Sequence, residues 1–275
     1  MILYRTMDGV VLEHRGAHCS IPADWDELFN RPDLDAYLRR CAGRAGSTAR
    51  TPHSARLLPP IGRQEVWAAG VTYNRSRVAR MSESKQAGSS DFYDRVYHAA
   101  RPELFFKATP HRVVGHGGAM HLRRDSIWIV PEPEITLAIN ARGQIVGYTI
   151  GNDLSCRDIE GENPLYLPQA KTFVGCAALG PGLRVSRRPP PRATAIAIAI
   201  RRHGRSIFSG ATRVSEIRKP FASLIEHLYR DNSFPAGCFL MTGTGIVPPE
   251  DLCLRPGDEV RITVPPVGTL VNRMA

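Results

Sequence analysis

From Ala195 to Ile200 the chain reads AIAIAI. Only a backbone with a two-residue repeat gathers those isoleucines on one face, so this stretch, extended to 193–201, is a β-strand. Shorter runs of the same kind recur at 66–71, 104–107, 127–130, 134–140, 144–150, 206–209, 238–241, 259–264 and 269–271, separated by Gly, Pro and Asn. Helical spacing is confined to 33–41, 74–84 and 221–229. Strands therefore outnumber helices and do not alternate with them, which disfavours a doubly wound parallel sheet. The expected class is a strand-rich α+β fold, a sandwich, roll or barrel with peripheral helices. The first sixty residues, with short strands at 2–4 and 10–13 about the turn Met7-Asp8-Gly9, read as a small N-terminal domain (1–60), with 47–60 as a linker. Residues 61–275 form the main domain.

Composition narrows the function classes. With 275 residues and 43% apolar content the chain can bury a sizeable core. No run approaches the roughly 18 apolar residues of a membrane span, and the first residues, MILYRTMDGVVLEHRG, lack the basic and apolar blocks of a secretory signal. The six cysteines are dispersed without a C-x-x-C pair, as expected of reduced thiols in a cytoplasmic protein. A net charge of +10 suggests nucleic acid, but no run of five like charges occurs and arginine is scattered along the chain. Only four lysines are present, Lys85, Lys107, Lys171 and Lys219. Lysine, unlike arginine, can lose its proton when desolvated and act as a base.

Glu132 and Glu134 flank Pro133. In an extended segment, residues two apart share a face, so the two carboxylates stand side by side. Pro133 has no N–H for a ladder, which puts the pair at a sheet edge or strand entrance. If Ala141-Arg142-Gly143 closes a hairpin, the strand that follows returns Asp153 to the same corner. Three crowded carboxylates repel one another unless a cation or a proton relieves them, and an all-oxygen set suits Mg, Mn or Ca. Taken alone, an E-x-E pair also fits a solvated sheet edge.

The words Pro102 to Lys107 (PELFFK), Glu132-Pro133-Glu134, Gly147 to Asp158 (GYTIGNDLSCRD), Lys171, Gly243 to Pro248 (GTGIVP), Leu254 to Asp258 (LRPGD) and Gly268-Thr269-Leu270 occur in an order that resembles the fumarylacetoacetate hydrolase superfamily. The resemblance covers residues 65–273. It implies a mixed β-sandwich roll with a small N-terminal domain, a divalent cation (Mg, or Mn or Ca) at its mouth, and Glu132, Glu134 and Asp153 as metal ligands. It also implies a homodimer or homotetramer. The run 157–171 (RDIEGENPLYLPQAK), with 70–80 (GVTYNRSRVAR), is most similar to the 2-keto-3-deoxy-pentonate dehydratase branch. Hydrolase members carry a histidine soon after a G-x-N-Y word, whereas this chain has none between His53 and His98. A hydrolytic water would lack its base, while an elimination needs none.

These likenesses imply a hydro-lyase acting on a 2-oxo-3-deoxy sugar acid and giving 2,5-dioxopentanoate. Lys171 and Glu103 are the proton-transfer candidates, with Lys171 on C3 and Glu103 at the departing C4 hydroxyl; the reverse assignment stays open. Burial near a cation is expected to lower the pKa of Lys171 and burial to raise that of Glu103. Arg157 either binds the substrate carboxylate or pairs with a metal-site acid. Thr244, between glycines, is suited to the substrate carboxylate, and Tyr73 is either pocket wall or core. Glu160 and Glu162 sit in a Pro-bounded segment, 159–168, that reads as a lid or a solvated loop. An acylpyruvate hydrolase or oxaloacetate decarboxylase on the same scaffold is the alternative, and a basic nucleic-acid-binding protein a remote one.

Overall fold

The period-two segments become strands in the computed structural model, which describes residues 1–45, 57–83 and 90–275. In chain order they are β1 (Ile2–Thr6), β2 (Gly9–His14), β3 (Ala17–Ile21), β4 (Glu65–Gly70), β5 (Glu103–Ala108), β6 (Val113–Val114), β7 (Ala119–Met120), β8 (Ile129–Val130), β9 (Pro133–Ile139), β10 (Ile145–Asp153), β11 (Ser155–Cys156), β12 (Ala177–Val185), β13 (Ala195–Arg202), β14 (Arg205–Arg213), β15 (Cys238–Met241), β16 (Glu259–Val264) and β17 (Gly268–Met274). The helices are α1 (Trp25–Asn30), α2 (Leu34–Ala45), α3 (Asn74–Glu83), α4 (Ser90–His98), α5 (Arg157–Glu162), α6 (Leu167–Lys171) and α7 (Phe221–Tyr229). The strand-rich α+β class is as expected.

Two sheets carry the fold. The larger runs β3-β2-β1-β12-β10-β9-β15-β4-β5, with β6 beside β12, and the smaller runs β14-β13-β16-β17-β7. They face each other as a sandwich in which β13 packs over β9, β16 over β10 and β17 over β12. The isoleucines of the AIAIAI run, Ile196, Ile198 and Ile200, all point inward and are buried. Each such side chain contributes about 1.5–3 kcal/mol relative to an exposed one. β9 is buried along its whole length, so it lies in the middle of the sheet and Glu132-Pro133-Glu134 is a strand entrance rather than a sheet edge.

The N-terminal segment does not stand apart as the sequence suggests. β1 pairs antiparallel with β12, so β1, β2 and β3 extend the large sheet. Leu3, Val10 and Leu12 share one continuous apolar core with Leu137 and Leu179. Asp26, at the start of α1, accepts from the Arg63 backbone N–H (3.0 Å), Arg63 Nε (2.9 Å) and Gln64 Nε2 (2.6 Å), fastening the two sides of the expected boundary. Of the linker predicted at 47–60, residues 47–56 lie outside the described residues, and Leu57 bridges back to Thr6.

The β9–β10 hairpin sets the register of the acids. Gly143, at φ +71°, turns the chain, and Asn140 closes the loop by accepting from Gly143 and donating to Gln144. Glu134 then lies opposite Gly151 and Pro133 opposite Asn152, and the Asp153 N–H donates to the Glu132 carbonyl at 3.0 Å.

Candidate active site

One oxygen from each of Glu132, Glu134 and Asp153 lies within 4.8 Å of the others, and all three side chains are buried. They sit in a narrow cleft with Gly70, Val71, Ser76, Arg80, Glu103, Phe105, Glu160, Lys171, Gly243 and Thr244. A larger cleft of about 600 Å³ lies between α2, the hairpin turn and α7, but none of its titratable side chains is buried. The convergent chemistry is in the smaller one.

Lys171 ends α6 with its ammonium against the acids: 2.6 Å from Glu132 Oε2, 3.3 Å from Asp153 Oδ2 and 2.7 Å from Ser155 Oγ. Burial pulls its pKa down, but Asp153, Glu132 and Glu160 together hold it above the ordinary lysine value. The lowered value expected from sequence is that of a lysine beside a cation; with the acids free of one, these carboxylates are turned on the ammonium and hold it protonated. Glu103 begins β5, and its carboxyl lies so close to Gly70 that a Cβ there would collide with it. Although the residue is only half-buried, its carboxyl end is enclosed, and burial together with the charge on Glu160 pushes its pKa up to about 7. This matches the direction expected.

Glu134 accepts from the Gly243 N–H at 2.6 Å, yet burial and the charges of Asp153 and Glu132 push its pKa well above the usual carboxylate value. Asp153 goes the other way: burial opposes ionisation, and Lys107 and Lys171 outweigh it. Gly243 has φ +88° and packs against Thr72 with no room for a side chain, which is how the chain presents this N–H to Glu134. Thr244 is buried in the cleft wall, its hydroxyl 3.2 Å from the Ile246 N–H.

Arg157 is fully engaged. Its guanidinium lies 2.6 Å from Glu132 Oε1 and 3.2 Å from Glu83 Oε2 and does not line the cleft, so its geometry is that of a partner to a site acid. Tyr73 packs in the apolar core and is not among the cleft walls. The segment 159–168 is not a solvated loop: it folds as the end of α5, a short 3-10 turn and the start of α6, and it buries Glu160 2.7 Å from Arg80 while Glu162 stays exposed.

Sequence reasoning passed over Lys107, Arg80 and Glu83. Lys107 is completely buried; its ammonium reaches Asp153 Oδ1 at 2.6 Å and donates to the carbonyls of Leu154 and Lys171. Period two from Glu103 through Phe105 to Lys107 would have found it. Arg80 binds Glu132 Oε1 at 2.8 Å and Glu83 Oε2 at 3.0 Å. The spacing Tyr73, Ser76, Arg80, Glu83 marks one helical face of α3, and a polar face turned inward is the signal of a polar cavity.

The charges do not cancel. Among the described residues the acids Glu83, Glu103, Glu132, Glu134, Asp153 and Glu160 face the bases Arg80, Lys107, Arg157 and Lys171, leaving two negative charges unmatched when all are ionised. Without an ion that excess is met by protons, since burial raises the pKa of Glu83, Glu103 and Glu134; a divalent cation meets it in their place, and the three buried carboxylates are the donor set that hard cations prefer. The residues present therefore fit such an ion.

Comparison with known proteins agrees with this geometry. Residues 66–275 match the family model described as fumarylacetoacetate (FAA) hydrolase C-terminal. The chain is 44% identical over 220 residues to a 2-dehydro-3-deoxy-D-arabinonate dehydratase of Saccharolobus solfataricus, covering 79% of this chain and 74% of that one. It is 45% identical over 214 residues to a probable 2-keto-3-deoxyxylonate dehydratase of Haloferax volcanii, covering 78% and 73%. A solved structure of 2-keto-3-deoxy-D-arabinonate dehydratase complexed with magnesium and 2,5-dioxopentanoate superposes with a TM-score of 0.85 at 34% identity, over 100% of this chain and 98% of that chain. A metal-ready acid cluster at a strand entrance, on this sandwich and with this sequence kinship, makes the chain a member of the fumarylacetoacetate hydrolase family.

Proposed function

We propose that this protein is a magnesium-dependent dehydratase that converts a 2-keto-3-deoxy-pentonate, such as 2-keto-3-deoxy-arabinonate, to 2,5-dioxopentanoate and water. The observation that carries the reading is one cleft holding three clustered carboxylates, a buried lysine and a glutamate of raised pKa, in a chain 44% identical to a dehydratase of that chemistry. Glu132, Glu134 and Asp153 hold the cation. Bound there, it polarises the substrate's 2-oxo group and draws on the carboxylates that otherwise keep Lys171 protonated.

Lys171 takes the proton from C3. Glu103 holds a proton near neutral pH and delivers it to the departing C4 hydroxyl, so that water leaves. Removal of a C5 proton and return of one to C3 gives an enol, whose hydroxyl proton then moves to C4 to leave the aldehyde. The Gly243–Thr244 turn receives the substrate carboxylate, and Arg80 and Arg157 keep Glu132 in place. Among the described residues no histidine lines the cleft, which supports elimination over hydrolysis.

No helix among the described residues is long and apolar enough to cross a membrane. The six cysteines are free, in keeping with a cytoplasmic enzyme. Exposed Ile127, Leu165 and Val174 favour a homodimer or homotetramer over a monomer. Incubation with magnesium and 2-keto-3-deoxy-arabinonate is expected to yield a semialdehyde oxidised by a coupled dehydrogenase. Pyruvate from acylpyruvates, without that product, would overturn the reading.

A further inference from the structure

Beyond the acid cluster, Glu103 is also a wall of a second cleft, of about 270 Å³, formed by Phe92, Tyr93 and Val96 of α4 with Pro164 and with Leu167 at the start of α6. The two clefts share a second boundary. Val71 lines the first and packs against Tyr93 and Tyr97, which belong to the apolar cluster beneath the second. Val71 holds φ +50°, a conformation that β-branched residues rarely adopt, and the strain falls at the seam of a functional site.

On the proposed chemistry the substrate enters carboxylate end first. C1 and C2 lie at the acid triad and C4 at Glu103, so C5 is the next atom outward. Apart from the Glu103 carboxyl and the Tyr93 hydroxyl, the described walls it meets are the carbon of three side chains of α4, a proline and a leucine. Such a surface rewards an alkyl group. It gives little to a further hydroxyl, which would exchange water for carbon.

The geometry points to this α4 cleft as a C5 subsite that admits a methyl substituent, so that the enzyme also dehydrates 2-oxo-3,6-dideoxyhexonates. The inference rests on the dehydratase reading and extends it. The reaction balances without a co-reactant: the C3–H and C4–O bonds break, water leaves, a proton moves from C5 to C3, and the C4=C5 enol so formed passes its hydroxyl proton to C4. The C5 carbinol thereby becomes a methyl ketone, 2,5-dioxohexanoate.

The test compares kcat/KM for three acids with the magnesium-loaded enzyme: the pentonate, its 6-deoxyhexonate homologue, and the hexonate with a C6 hydroxyl. Products are followed by mass as loss of water. The 6-deoxyhexonate is expected within about tenfold of the pentonate, and the hydroxylated hexonate a further tenfold or more behind, the range a single group commands in an apolar pocket. Phe92→Asp, at a position 59% exposed and hence safe for folding, and Val96→Ser should each lower the ratio of the 6-deoxyhexonate to the pentonate by about fivefold or more. The subsite is refuted if the wild-type enzyme dehydrates the pentonate but leaves the methyl homologue untouched, or if both variants leave the ratio of the two unchanged. Absence of dehydration with every acid would instead remove the dehydratase reading on which the inference stands.

Discussion

At Glu103 one carboxyl must keep its proton close to neutrality, and burial together with Glu160 supplies the means by raising its pKa to about 7. An acid in that role loses activity as it ionises. Lys171 must be deprotonated to act, so the two groups set two limbs of the kcat–pH profile; Glu103→Gln is expected to remove the limb near pH 7 and to cut kcat by about 10²–10⁴ while leaving magnesium affinity intact. The same group leaves a mark on stability. Its folded value of about 7 lies above the ordinary 4.5, so the folded state holds more protons in that interval. Stability of the metal-free protein should then decline as pH rises from about 4.5 to 7 and level off beyond, with a shallower decline in Glu103→Gln, as read by urea titration at each pH. Gly70→Ala tests the same carboxyl through its neighbour: the added Cβ collides with Glu103, and activity should fall with metal binding retained. Spacing brought Glu132, Glu134 and Asp153 to one corner in sequence, where the structure also clusters them, but only the family resemblance singled them out as ligands. What the sequence hid was the direction of the Lys171 shift, because that depends on which carboxylates face it.

At the scale of elements, the strands with clean alternation could be read directly, and β13 is the clearest. β12 could not. Its residues Gly180-Pro181-Gly182 have the composition of a turn, yet they lie in the middle of the large sheet between β1 and β10. Pro181 has no N–H to give, and the ladder slips between Tyr148 and Ile150, where the Thr149 hydroxyl donates to the Gly182 carbonyl at 2.8 Å. A side chain thus replaces backbone pairing, which no propensity reports. α4 was missed for another reason: its apolar residues serve a small satellite cluster rather than the main core. β5 joins fold and chemistry through Lys107, which ties Asp153 to the carbonyls of Leu154 and Lys171. Lys107→Met leaves Asp153 short of a buried partner and should cost about 3–5 kcal/mol in chemical denaturation.

For the whole molecule, the N-terminal strands are part of the main sheet, and the sequence suggested otherwise because the boundary near residue 60 is rich in proline while strand pairing across it is not written locally. Removing residues 1–60 would expose the β12 edge and the core around Leu179, so a 61–275 fragment is expected to aggregate on expression rather than fold as an independent enzyme. Magnesium should raise the melting temperature of the intact protein by several degrees and have no such effect on Asp153→Asn, measured by thermal denaturation with and without chelator. The two unmatched negative charges of the cleft have a further consequence. With Glu134 inclined to hold a proton until the cation arrives, loading the ion is also an acid–base event. Magnesium uptake will acidify an unbuffered solution, its calorimetric heat will track the ionisation enthalpy of the buffer, and its apparent affinity is expected to fall as the pH falls.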